Sequence, residues 1–142
     1  MDDIEKKLLE KIDSLREELI KFHQDLVKIP SENPPGKYRK AAEFIHAKMN
    51  EIGLEAKIIK NNVLGELNFK EGPNLILYGH FDTVEAFSGW KNDPFGGDII
   101  DGKIYGRGSV DDKSCVTATI FAAQALLEMG VKLNGKLSIV AV

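Results

Sequence analysis

The chain has 142 residues and is 43% hydrophobic, enough for one domain with a core and short for two. Its 19 basic and 22 acidic residues leave a net charge of -3, which argues against the basic face that nucleic-acid binding needs. One cysteine, Cys115, cannot close an internal disulfide, the charged start MDDIEKKLLEK is unlike a secretory leader, and no apolar run approaches the roughly 20 residues that span a bilayer. The expectation is a soluble, cytoplasmic protein with neither membrane nor nucleic acid as partner.

In chain order, Ile4, Leu8, Ile12, Leu15, Leu19, Phe22 and Leu26 recur at steps of three and four, which predicts one helix over about residues 3–28. PSENPPG breaks the pattern as a loop. A second amphipathic helix follows, with Ala41, Phe44, Ile45, Met49 and Ile52 inward and Gly53 as its stop. From Leu54 the period becomes two, so LEAKIIK and VLGELNF read as neighbouring strands turning at Asn61-Asn62. NLILYG, apolar on consecutive positions, reads as a central strand buried on both faces.

Residues 85–110 are rich in Gly, Pro and Asp and read as loop, with a short hairpin, DIIDGKIYG, turning at Asp101-Gly102. A helix over about Asp112 to Met129 ends at Gly130, and KLSIVAV is a further apolar strand. This order predicts an α/β fold, a sandwich of a mixed sheet with helices on both sides. KLSIVAV closes the chain without a polar tail, which reads as a sequence cut short.

His80 and Asp82 follow the strand NLILYG, where an α/β sheet opens into its ligand crevice. At i and i+2 of an extended segment both project to one side, so a carboxylate can hold one ring nitrogen and leave the other for a metal. Taken alone, His-x-Asp more often means a buried histidine satisfied by a neighbour. Asp111 and Asp112 open a helix after GRGSV, where capping and metal ligation are equally good readings. His23 and His46 fall on amphipathic helices as surface residues, and Cys115 falls among Val116 and Ala118 as a core residue. Trp90 and Phe95 either line a pocket or anchor their loop. GRGSVDDKS lacks the GxxxxGK(S/T) spacing of a phosphate-binding loop, and no glycine-rich turn follows the first strand.

Together, YGHFDTV, GWKNDPF, DGKIYGRGSVDDK and IPSENPPG resemble the di-zinc family of aminoacylases, acetylornithine deacetylases, succinyl-diaminopimelate desuccinylases and carnosinase-type dipeptidases. The resemblance spans nearly the whole chain. It implies a zinc-dependent exopeptidase-like three-layer α/β sandwich, of which residues 1–142 are the N-terminal part of the catalytic domain, the rest of that domain and a dimerisation domain lying beyond. It also implies His80 as a ligand of one zinc, Asp111 as the bridge between two Zn2+ (or Co2+), Asp82 as the catalytic aspartate positioning His80, and Asp112 as no ligand.

A Glu-Glu pair and further ligands belong downstream in the family and are not in these residues. The implied reaction of the full-length protein, a homodimer, is cleavage of the amide bond of N-acyl amino acids or short peptides by a metal-bridging hydroxide, while the 142 residues alone are expected to be inactive. The competing reading is a naturally short, non-catalytic protein that binds metal or acts through its N-terminal helix.

Overall fold

In the computed structural model, which describes residues 3–142, the expected first helix is two: α1 (Asp3–Ser14) and α2 (Arg16–Val27). The break falls at Leu15, whose backbone leaves helical geometry (φ -89°, ψ 1°) while its side chain is buried. The apolar stripe is continuous in sequence but covers unequal surfaces. α1 buries no residue fully, whereas α2 buries Phe22, His23, Leu26 and Val27. Helix α3 (Arg39–Glu51) buries Ala41, Ile45 and Met49, as its periodicity predicts.

Strands β1 (Glu55–Ile59) and β2 (Asn62–Asn68) form an antiparallel hairpin with Ile59 opposite Asn62. Its turn is therefore Lys60-Asn61, one residue earlier than expected, with Lys60 taking the left-handed conformation (φ 61°). β3 is Asn74–Gly79. The hairpin of β4 (Asp98–Ile100) and β5 (Lys103–Tyr105) turns at Asp101-Gly102, both at positive φ as a primed two-residue turn requires. α4 (Lys113–Glu128) and β6 (Lys136–Ala141) complete the elements.

The main sheet runs β1-β2-β6-β3. β6 pairs antiparallel with β2 and parallel with β3, so the sheet is mixed and the α/β class stands. One expectation fails: NLILYG is an edge strand, not a central one, and Leu75, Ile76 and Tyr78 are exposed. A run of consecutive apolar residues reports how much surface a strand can bury, not its place in the sheet, which long-range pairing decides. The buried central strand is β6, with Leu137, Ile139 and Ala141 in the core.

α3 packs on β1 and β2, α4 packs on β3 and β6, and α2 lies across both helices. Phe22 joins the three helices. Its ring stacks on Phe44 of α3 at 4.9 Å and meets Phe121 of α4 at 5.7 Å. The described residues supply one helical layer and the sheet. On the sheet's other face Ile76 and Tyr78 are open to solvent. What this packing fixes is the relative position of two chain segments: the carboxyl end of β3 and the amino end of α4.

Candidate metal and active site

β3 ends at Gly79, and the next residues run past the sheet as an extended segment. A second extended segment zips to it. Thr83 N–H donates to Ser31 O (2.9 Å), Asn33 N–H donates to Thr83 O (2.8 Å), and the Ser31 hydroxyl donates to Phe81 O (2.6 Å). Phe81 and Ser31 are buried between them, and the alternation leaves His80 and Asp82 on the opposite side. PSENPPG is thus more than a loop between helices: it is the second wall of the site.

His80 Nδ1 lies 3.1 Å from Asp82 Oδ1, the contact expected from their spacing. The other oxygen of Asp82 accepts from Asn33 Nδ2–H at 2.9 Å, so the carboxylate is itself held in place. Sequence reasoning missed Asn33. The signal was its place in PSENPPG, but a loop residue has no periodicity to show which way it faces. On the far side of the ring, His80 Nε2 lies 3.1 Å from Asp111 Oδ1. The imidazole bridges the two carboxylates.

Asp111 reaches His80 because of the turn before α4. Gly108 has φ +83°, and a Cβ there would stand 2.7 Å from Thr83 Cγ2 and 3.1 Å from Lys113 Cδ. A side chain at Gly106 would collide with Val27 Cγ1. The GRG turn therefore sits against both the His80 segment and α2, as only glycines allow. Behind it, the buried Lys113 ammonium donates to Leu26 O (3.0 Å) and Ile29 O (2.7 Å) at the end of α2. Burial pushes its pKa down to about 8.

Asp112 stands at the N-cap of α4 but makes no capping bond with its side chain. Its Oδ2 instead accepts from the backbone N–H of His80 at 3.2 Å, tying helix start to strand end. The peptide bond between Asp111 and Asp112 is cis.

Two histidine and cysteine readings are corrected. His23 is buried, not a surface residue: Nε2–H donates to Ser109 O (2.9 Å) and Nδ1 lies 3.0 Å from the Thr117 hydroxyl. Periodicity had placed it beside the apolar face of α2, and the partner that buries it, the turn before Asp111, is far away in sequence. Cys115 is exposed rather than core, because α4 turns that flank outward together with Ala118. His46 is half-buried and hydrogen-bonds with Asn50.

Burial lowers the pKa of His23, with the nearby Lys113 charge acting the same way and the Ser109 carbonyl opposing them. A folded-state pKa below the unfolded value of 6.5 leaves stability undiminished above that pH. Below it the unfolded chain takes the proton first and stability falls. The thermal midpoint of the wild type should therefore drop between pH 7.5 and 5 more steeply than that of His23→Gln; equal slopes would contradict the buried neutral histidine.

For His80, burial acts to lower the pKa but is outweighed by the Asp82 carbonyl and the charges of Asp112, Asp111 and Asp82, and the net shift is upward. The same field that favours a proton favours a metal cation. The gap of 3.1 Å between Nε2 and Asp111 Oδ1 is less than two zinc–ligand bonds of about 2.0–2.2 Å, so one ion can reach both atoms without spreading them. A neutral imidazole whose Nδ1–H is held by a carboxylate is the form that coordinates metal. The donors fit a divalent ion but do not complete its shell. Among the described residues no group of three or more His, Cys, Asp or Glu is arranged to hold a metal.

Asn33, His80, Asp82, Thr83, Arg107 and Asp111 line a cavity of about 290 Å3 at this point. Trp90, the aromatic in GWKNDPF, lies beside it with the Arg107 guanidinium 5.0 Å from its ring centre. Phe95 is half-buried in its loop, its N–H donating to Asp93 Oδ1.

The model of peptidase family M20/M25/M40 matches residues 76–142, a span that holds β3, His80, Asp82, the GRG turn, Asp111 and α4. Residues 76–142 belong to peptidase family M20/M25/M40.

Relatives extend the likeness to the rest. An uncharacterized metallohydrolase of Methanocaldococcus jannaschii is 33% identical over 150 aligned positions, covering 90% of this chain and 36% of that protein. A succinyl-diaminopimelate desuccinylase of Rhodospirillum centenum is 43% identical over 81 residues, covering 56% of this chain and 21% of its own length. Among solved structures, an M20 family metallo-carboxypeptidase from Sulfolobus solfataricus superposes with a TM-score of 0.75 at 26% identity, over 99% of this chain and 30% of that one. The chain spans only 21% to 36% of the length of these three proteins. No helix among the described residues is long and apolar enough to cross a membrane.

Proposed function

We propose that the complete protein is a zinc-dependent hydrolase of the amide bond in N-acyl amino acids or short peptides, and that residues 1–142 are the N-terminal part of its catalytic domain. The observation that carries this reading is His80 held between Asp82 and Asp111, at the carboxyl end of a strand, in a segment that matches a peptidase family. His80 Nε2 and Asp111 would hold metal. Asp111, with its side chain 87% exposed, has a free carboxylate oxygen with which to bridge a second ion, which makes two Zn2+ (or Co2+) the proposed complement. Zinc bound there would polarise the amide carbonyl and lower the pKa of water.

Asp82 holds the proton of His80 on Nδ1 and keeps the ring in its metal-binding tautomer, and Asn33 keeps Asp82 from turning away. Catalytic zinc sites use three protein ligands, so the two donors here need partners, and a general base, from outside residues 1–142. The 142 residues by themselves are accordingly proposed to be inactive. The names of the relatives, a desuccinylase and a metallo-carboxypeptidase, support small N-acyl amino acids and short peptides as the substrate range. A homodimer in the cytoplasm completes the proposal, the location resting on the single cysteine.

The test is a panel of N-succinyl-diaminopimelate, N-acetylornithine and dipeptides offered to the complete protein, with zinc and after chelation. At least one substrate should be cleaved, and only with metal. Cleavage of none, or cleavage indifferent to chelation, would contradict the proposal.

A further inference from the structure

Lys113, in the first turn of α4, is 0% exposed, and among the described residues no other lysine, arginine or carboxylate is removed from solvent completely. A charge taken out of water is costly, and an aliphatic side chain of similar length would fill the space without that cost. The ammonium donates to two neutral carbonyls, Leu26 O at 3.0 Å and Ile29 O at 2.7 Å, at the end of α2 and just beyond it. What the buried charge secures is a link between two chain segments.

Both segments lead into the site within a few residues. On one side, Lys113 N–H donates to Gly108 O at 3.2 Å, and the lysine stem lies so close to the turn that a Cβ at Gly108 would stand 3.1 Å from Lys113 Cδ. Asp111 is two residues back. On the other side the chain runs from Ile29 to Ser31 and Asn33, whose side chains bond Phe81 O and Asp82. His23 of α2 adds a parallel tie to the turn through Ser109 O. Lys113 is thus a strut between the wall that carries Asp82 and the turn that carries Asp111, the two carboxylates that flank His80.

Resting on the hydrolase reading above, we propose that Lys113 is a positioning residue, which touches neither metal nor substrate but sets the separation of the Asp111 carboxylate from His80 on which metal affinity depends. That gap is 3.1 Å, and a misplacement of about 1 Å from a change remote from the chemistry can cost about a hundredfold in rate.

The experiment uses the complete protein at one fixed pH. It reads the zinc dissociation constant by competition with a chelating dye, kcat and KM on whichever panel substrate is cleaved, and the urea midpoint. Lys113→Met keeps the stem and removes the donors. It should weaken zinc binding about tenfold or more and lower kcat with KM little changed, the range expected for a group that orients a metal ligand. Lys113→Arg keeps the charge and the donors and should recover part of the zinc affinity. Ile120→Val, at a fully buried position of the same helix, is the control: it should lower the urea midpoint and keep wild-type zinc affinity.

A merely structural Lys113 would make the methionine variant behave like that control, less stable but binding zinc as the wild type does, and this result overturns the inference. If the methionine variant does not fold, Lys113→Gln, with one amide donor group on a shorter stem, carries the same comparison with the same two outcomes. Wild-type protein that binds zinc and cleaves substrate, with zinc affinity unchanged in the Lys113 variants, sinks this inference alone. Wild-type protein that needs no zinc removes the hydrolase reading, and this inference with it.

Discussion

His80→Ala and Asp111→Ala should each lower metal-dependent kcat/KM of the complete protein by about a thousandfold or more, a loss of ~4 kcal/mol in transition-state stabilisation. Neither side chain is core. Asp111 is 87% and His80 37% exposed at the side chain, so the loss should come without a matching loss of stability, within about 1 kcal/mol by urea unfolding. Asp82→Asn is the informative companion. It keeps the size of the group that faces Nδ1 but removes its charge, and an outer partner of a metal-binding histidine is worth about 10- to 100-fold in affinity or activity. The expected order is therefore two large effects and one moderate one. Activity in Asp111→Ala near that of the wild type would separate the acidic helix start from the chemistry.

Gly108→Val acts on the same site through the backbone. At φ +83° a branched residue is strained, and its Cβ would press on Thr83 Cγ2 in the segment that carries Asp82. Left-handed strain and overpacking each cost about 1–3 kcal/mol, so a destabilisation of roughly 2–6 kcal/mol is expected in urea unfolding. The substitution should also damage activity, because Gly108 precedes Asp111 by three residues and the Thr83 it meets lines the cavity with Asp82 and Asp111. Gly108→Ala should be milder on both counts. If the valine variant matched the wild type in stability, the turn could not be as closely packed as described.

What could be read from sequence was the chemistry carried by short spacings. His80 and Asp82 are two residues apart on an extended segment, and that interval alone places both groups on one side, as found. The Asp101-Gly102 turn and the faces of α3 were legible for the same reason: each depends on a few neighbouring residues. The contact between His80 and Asp111 was not legible from either half. It exists because α4 packs on β3 and β6, which brings residues 31 apart in sequence to 3.1 Å.

The misreadings share that cause. His23 has a polar partner, Ser109, at a distance of 86 residues in the chain, so nothing local distinguishes it from a surface histidine. NLILYG is apolar enough for a central strand, but the pairing of β6 between β2 and β3 puts it at the edge. Asn33 became visible only when its loop was found zipped to residues 81–83. Lys113 is a further case: a charged residue in the first turn of α4 is wholly buried, its ammonium donating hydrogen bonds to the carbonyls of Leu26 and Ile29, more than 80 residues away in the chain.

The claim on which the rest depends is that His80 and Asp111 ligate metal while Asp82 holds the histidine. Zinc-edge anomalous diffraction from crystals of the complete protein tests it most directly. The expected result is a zinc peak bonded to His80 Nε2 and to an oxygen of Asp111, with Asp82 hydrogen-bonded to Nδ1. A zinc peak elsewhere in the molecule, with His80 and Asp111 still in contact only with each other, would contradict it.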